Sequence, residues 1–414
     1  MKLSLDNSAQ AGLDVLERLR SAGHSALFAG GCVRDMLLDV VPKDYDIATD
    51  AHPPRVLELF PRSRMVGAKF GVVLVRRRGR DVEVATFRAD GVYSDGRHPD
   101  SVVFGSELDD ANRRDFTING LFYEPSAGRV IDHVGGQADL VARRIRTIGD
   151  AAKRFAEDHL RMLRAVRFAA RLGFEVDLAT AEAIRKNAHH LREISPERIW
   201  MELEKIVTAP TRGRAWDLLR DFGLIAYLVE HWSPTDADVE RMTRTLSSLP
   251  STALAAPLLL AVMFRDDRPA TIDDRGKSMR LSNRLVSIAR WLLESLAVLE
   301  RPEPLSLADL KMLMAGADWS ALVQLFRADR QAGGLGLSPV EELTVRAAAI
   351  RKEDIAPPPL LSGDDLSSMN ITPGPRFGRI LNVLYRAQLN EEIRTPRQAR
   401  DMATRLMRET KTED

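Results

Sequence analysis

Leu27-Phe28-Ala29-Gly30-Gly31-Cys32-Val33-Arg34-Asp35, followed by Asp44-Tyr45-Asp46, is the stretch that decides how this chain reads. It runs from an apolar segment through paired glycines to an arginine, then to two carboxylates one residue apart. In a strand, residues i and i+2 project from the same face, so Asp44 and Asp46 aim at one point. Two hard oxygen ligands at that spacing suit Mg²⁺, which is usually held by one or two carboxylates plus substrate phosphates. Gly30 and Gly31 can offer backbone N–H groups to a phosphate, because glycine allows close approach and unusual dihedrals. A phosphate cradle beside a metal site reads as phosphoryl or nucleotidyl transfer.

Working outward, residues 8–22 read as a helix with Leu13, Leu16 and Leu19 on one side, and residues 25–30 as a strand. Val72–Val75 and Val82–Phe87 are strand candidates separated by a basic turn, and 129–134 and 143–149 add short strands around Gly135-Gly136. Beyond about 151, Ala, Leu, Arg and Glu recur at helical spacing almost to the end, with breaks at Ser195-Pro196, Ala209-Pro210, 246–257, Gly333-Gly334 and Pro357–Pro359. The expected fold class is α+β: a small mixed-sheet head followed by an all-α remainder. The expected division is a head over 1–149, a helical neck over 150–232, a helical body over 233–350 and a helical tail over 351–414.

Composition bounds the function. The 414 residues are 44% apolar and only 6% aromatic, which fits a helical protein of more than one cooperative unit. A single cysteine, Cys32, excludes a disulfide framework and a cysteine-based zinc site. No N-terminal run has signal-peptide form and no stretch nears membrane-spanning length, so a soluble, cytoplasmic protein without a membrane partner is expected. Net charge is only +1, but arginines cluster at 76–80, 143–146, 154–171 and 376–400. Arginine offers planar, bidentate donors to phosphates and base edges, and clusters beside a phosphate-transfer motif point to RNA.

Gly-Gly-x-Val-Arg-Asp-x-Leu-Leu with Asp44-x-Asp46 downstream closely resembles the head signature of the class II tRNA nucleotidyltransferases and bacterial poly(A) polymerases, within the DNA polymerase beta nucleotidyltransferase superfamily. The resemblance implies that Asp44 and Asp46 bind Mg²⁺. It also implies that a third carboxylate on a neighbouring strand, here Glu83, completes the catalytic set, and that Gly30, Gly31 and Arg34 contact phosphates. Arg113-Arg114-Asp115-Phe116-Thr117-Ile118-Asn119-Gly120-Leu121 matches a second family motif, with Gly120 in place of alanine. It aligns Arg114 with a nucleotide-contacting arginine. Residues 88–104 resemble the loop the family uses to switch from C to A addition.

In the segment Phe155–Arg171, Asp158, Arg161 and Arg164 are spaced i, i+3, i+6, which places them on one broad helix face, with Leu160, Leu163 and Val166 on another. As plain helix chemistry, Asp158 and Arg161 would form an intrahelical ion pair. As a base reader, the carboxylate would accept from the exocyclic amine of cytosine or adenine while the guanidinium donates to the ring nitrogen; uracil and guanine place a carbonyl where that amine would be. Glu157-Asp158-His159-Leu160-Arg161 matches the family's Glu-Asp-x-x-Arg motif, which is described as working this way, and Arg164 and Arg167 would stack on or support the base. His189-His190 sits on a polar helix end with no second pair. Residues 361–378 resemble family tails that hold the tRNA elbow.

The resemblance therefore implies CCA addition to tRNA from CTP and ATP, with Mg²⁺ as cofactor and the oligomeric state left open. Poly(A) addition is the nearest alternative; Ala68 stands where poly(A) polymerases usually carry a basic residue. A catalytically silent RNA-binding protein is the alternative of another class, and the intact Asp44/Asp46 pair argues against it.

Overall fold

The computed structural model describes residues 6–66, 71–91, 102–250, 255–267, 271–369 and 375–409. The chain divides into two units, Met1–Ser233 and Pro234–Asp414.

The first unit opens with α1 (Asn7–Ser21), capped by Asp6, whose Oδ1 accepts from the amides of Ser8 and Ala9 at 2.8 Å. Its buried stripe includes Val15, Leu16 and Leu19. In chain order follow β1 (Ala26–Ala29), α2 (Gly31–Leu37), β2 (Ile47–Thr49), α3 (Pro53–Leu59), β3 (Ser63–Met65), β4 (Val72–Arg77) and β5 (Arg80–Thr86). Then come β6 (Arg88–Asp90), β7 (Val102–Phe104), α4 (Glu107–Asn112), β8 (Leu121–Glu124), β9 (Arg129–Asp132), α5 (Gly136–Val141) and β10 (Arg144–Ile145). Seven strands form one sheet in the order β3-β4-β5-β2-β1-β8-β9, antiparallel throughout except for the parallel pair β2/β5. β1 and β2 are buried along their whole length, with α1 and α2 packed beside β1, and their sequences are accordingly apolar apart from Thr49.

The helical part of this unit comprises α6 (Ala151–Glu157), α7 (Arg161–Leu172), β11 (Glu175–Val176), α8 (Leu178–Asn187), α9 (Pro196–Val207) and α10 (Arg212–Asp221). No seam falls at 149. β10 pairs with β11 in parallel, Phe116 bridges to Thr147, and Phe116 meets the ring of Phe168 edge-on at 5.8 Å. The expected head and neck thus form one unit.

The second unit is helical, from Asp236–Ser248 to Pro396–Glu409. Its helix Ala256–Met263 is apolar on nearly every side and packs against Asn283–Leu299. Leu361, Leu366, Ile380, Leu384 and Ile393 form a separate apolar cluster near the C-terminal end. Arg386 to Asp309 and Lys311 to Glu391 tie that end to the helix Leu307–Met314, so the expected body and tail also share a unit. The α+β class with a helical remainder is as expected. No helix among the described residues is long and apolar enough to cross a membrane.

Three sequence expectations fall wholly or partly outside the described residues. Of the 88–104 loop only its roots are described, pairing as β6 and β7, and Val92–His98 lies outside. Ala68 also lies outside, as do Asn370 and Thr372–Gly374 of the tail motif.

Candidate active site

The amide of Ala29, at the end of β1, donates to the carbonyl of Asp46 at 3.0 Å, so the extended backbone continues past β2 to the acidic pair. Tyr45 is 3% exposed and packs on Phe28 at 5.3 Å, whereas Asp44 is exposed and Asp46 half-buried just ahead of β2. On the parallel neighbour, Ile47 pairs with Val84, which brings Asp46 alongside Glu83 one residue earlier. Val82 and Val84 are buried and Glu83 is exposed, as expected from its strand pattern.

The carboxyl of Asp46 is pushed up to about 7, first by burial and then by the charge of Glu83, with Asp44 adding and Arg114 opposing. Three carboxylates crowd one region whose charge Arg114 offsets only in part. That donor set fits a divalent cation, which the family generally uses. The ligand atoms of the three do not all lie within 4.8 Å of one another; a cation on Asp44 and Asp46, completed by phosphate oxygens, requires only two.

Gly30 has φ 71° and ψ −126°, in the region that favours glycine, and turns the chain from β1 into α2. A Cβ here would stand 2.6 Å from Nη1 of Arg114, so the bare backbone also makes room for that arginine. Arg114 is aimed by Asp110, which is fully buried and pairs with Arg113 at 2.7 Å and Arg114 at 2.8 Å. Burial alone would raise the Asp110 pKa; Arg114 and then Arg113 outweigh it and hold it below its usual value. Gly120 ends a short 3₁₀ turn, and a Cβ there would meet Val134 Cγ2 at 2.6 Å, so alanine would require that side chain to shift.

Arg34 is 4% exposed and points inward. It donates to Asp35 Oδ1 and, at 2.7 Å, to Asn119 Oδ1. Asn119 Nδ2 donates to Asp115 at 3.0 Å, and Asp115 accepts from Arg164 at 2.8 and 2.6 Å. A continuous chain of charge-assisted bonds therefore runs from α2 to α7. Burial opposes ionisation of Asp115, but Arg164, Asn119 and the Phe116 amide hold it down at about 2. Arg34, Arg164 and Arg167 all lie over the Phe168 ring, at 5.2, 5.5 and 4.4 Å.

The single helix face expected for Asp158, Arg161 and Arg164 does not form. α6 ends at Glu157, Asp158 is extended at φ −152° and ψ 102°, and α7 begins at Arg161. The alternative of an intrahelical Asp158–Arg161 ion pair does not form either. Arg161 bonds Glu157 at 2.5 Å and the Arg154 carbonyl at 3.0 Å, and Nη2 reaches the Arg113 carbonyl at 3.5 Å. Asp158 instead accepts from Arg198 on both oxygens, at 3.1 and 3.0 Å, and from the Leu160 amide at 3.1 Å. Arg167 pairs with the buried Glu202 at 2.7 Å.

Asp110, Arg198 and Glu202 hold the expected site residues and were not singled out from sequence. Asp110 alone had a local signal, four residues before Arg114. His190 lies beside a single further histidine: His159, His190 and Glu193 bring ligand atoms within 4.8 Å. The two rings stack in parallel, 4.7 Å apart, so their lone pairs run side by side instead of converging.

Residues 26–146 match the poly A polymerase head domain family, and residues 173–235 match the probable RNA and SrmB-binding site of polymerase A. The CCA-adding enzyme of Geobacillus stearothermophilus is 37% identical over 398 residues, 93% of each chain, and that of Geobacillus thermodenitrificans is 36% identical over 399 residues, again 93% of each. The crystal structure of the Bacillus stearothermophilus CCA-adding enzyme in complex with CTP superposes with a TM-score of 0.79 at 32% identity, covering 99% of both chains. The chain belongs to the CCA-adding enzyme family of nucleotidyltransferases.

Proposed function

We propose that the chain adds C, C and A to the 3′ end of tRNA from CTP and ATP without a nucleic-acid template. One observation carries this reading. The Arg113–Asn119 segment meets the carboxylate cluster on one side, through Arg114 and Asp46, and the neck on the other, through Arg161 and Arg164. Charge chemistry and base-reading side chains are thereby held in one unit.

Asp44 and Asp46 would hold Mg²⁺, which when bound activates the primer 3′-hydroxyl and neutralises charge on the triphosphate and the leaving pyrophosphate. Glu83 keeps the local field negative, so that a cation is retained. Gly30 and Gly31 offer backbone approach to phosphate, and Arg114, restrained by Asp110, presents positive charge there. Arg34 acts from behind, fixing Asn119 and through it Asp115. Asp158 accepts from the amine of cytosine or adenine, and Arg161 supplies a donor to the ring nitrogen from the guanidinium that Glu157 orients. Arg164 fixes α7 against the head through Asp115, and Arg167 fixes it against α9 through Glu202. Residues 150–232 then serve as the base-reading neck of the 1–149 head, with 233–350 as body and 351–414 as a tRNA-binding tail.

The test supplies each labelled NTP with tRNA lacking its 3′ end. Ordered incorporation of two C and one A is expected. A long A tail would replace this reading with poly(A) addition, and no incorporation with a silent RNA binder.

A further inference from the structure

Along α7, beside Arg167, Ala170 and Arg171, lies an open cleft of about 420 Å³. Four cationic side chains line it: Lys43, Arg167, Arg171 and Lys205. Two carboxylates answer them. The buried Glu202 orients Arg167 at 2.7 Å and Lys205 at 2.9 Å, one on each oxygen, and Asp35 stands 3.8 Å from Arg171. Lys43 forms no ion pair among the described residues. The cleft therefore keeps an excess of positive charge, and two of its cations, Arg167 and Lys205, are aimed by a shared buried acid. The hydroxyl of Thr211, on the same wall, is buried with no hydrogen-bond partner among the described residues. An orphan donor among fixed cations suits an anionic oxygen.

Position narrows the anion. Lys43 is bonded to Asp44, so one rim is covalently continuous with the carboxylates where a 3′-hydroxyl must arrive. The lining residues from Lys205 to Ala215 fall within the segment matched to a probable RNA-binding region. The triphosphate is served elsewhere, by Arg114 and the Gly30 turn. We propose that this cleft seats a backbone phosphodiester of the RNA strand whose 3′ end is extended, next to the terminal nucleotide. The proposal rests on the nucleotidyl-transfer reading of the Asp44 and Asp46 site.

The test uses the full chain with Arg171→Ala and Lys205→Ala combined. Both side chains are about half exposed, at 44% and 49%, so a thermal melt close to the parent's is expected. KM is measured for tRNA lacking CCA and for CTP, and tRNA affinity is followed against salt by fluorescence anisotropy. The tRNA KM should rise about 10- to 100-fold while the CTP KM stays within twofold. The slope of log affinity against log salt should shrink by about 0.7 for each contact removed. The charge-keeping Arg171→Lys, Lys205→Arg variant should recover most tRNA affinity. An unchanged tRNA KM and salt slope would overturn the proposal, as would a rise confined to the CTP KM, which would give the cleft to the free nucleotide. Anisotropy needs no turnover, so the cleft is judged separately even if the parent adds no nucleotide to tRNA.

Discussion

Asp46 and Asp115 are both aspartates drawn out of water in the same unit, and the fold treats them oppositely. Asp46 has Glu83 and Asp44 for neighbours and only Arg114 against them, and its carboxyl is pushed up to about 7. Asp115 is held by Arg164, Asn119 and the Phe116 amide, and is pressed down to about 2. Burial acts in the same direction on both, so the difference lies in the partners. The Asp115 region is complete without any ligand and joins α2 to α7. The Asp46 region keeps an excess of negative charge, a setting that favours a cation. A buried acid with a full set of donors holds a structure together; one crowded by like charges is a place where something binds.

The sharpest way to break this comparison is at the incomplete end. Asp44→Asn or Asp46→Asn should remove addition of both C and A, a loss on the order of 10³-fold from several kcal/mol of transition-state stabilisation, while tRNA binding by anisotropy persists. Near-normal turnover in either variant would remove the pair from the chemistry.

Next in size is base choice. Asp158→Ala with Arg161→Ala should relax selection of CTP and ATP over UTP and GTP by about 10- to 100-fold, since each lost contact is worth roughly 1–3 kcal/mol of discrimination. Incorporation assays with all four nucleotides read this. Unchanged preference in a folded double variant would take the neck out of base reading. Arg198→Ala should shift selectivity in the same direction by less, and Arg198→Lys should restore part of it; an equal response of all four nucleotides would reduce Arg198 to a folding role.

These expectations also separate what was legible in the sequence from what was not. Glu83 could be read because strand alternation is a local, period-two rule that β5 obeys, whereas Asp44 and Asp46 stand just before β2 and not in a strand. Arg114 was readable from its motif. The break between α6 and α7 was not. Asp158, Arg161 and Arg164 fit helical spacing, and neither glycine nor proline marks the turn. The partner of Asp158 lies forty residues away on α9, where no local pattern points to it. The inward orientation of Arg34 was equally hidden, because a sequence shows a cation but not whether Asn119 and Asp35 enclose it.

The smallest expected effect is at the complete end. Asp115→Asn should cost roughly 2 kcal/mol in a urea melt at neutral pH, the equivalent of its pKa displacement. The native pKa is depressed, so this stability is present above the unfolded value near 4 and is lost as pH falls toward about 2. The gap between parent and variant should close over that window. A gap independent of pH would mean that the lost packing, not the charge, matters.

The most direct measurement of the central claim is thermal stability of the parent and of Asp46→Asn, each with and without Mg²⁺ at pH 8. The incomplete carboxylate cluster predicts that the parent gains stability with Mg²⁺, whereas Asp46→Asn is at least as stable as the parent without the ion and gains little from it. An Asp46→Asn protein that melts below the ion-free parent and still responds fully to Mg²⁺ would contradict the account.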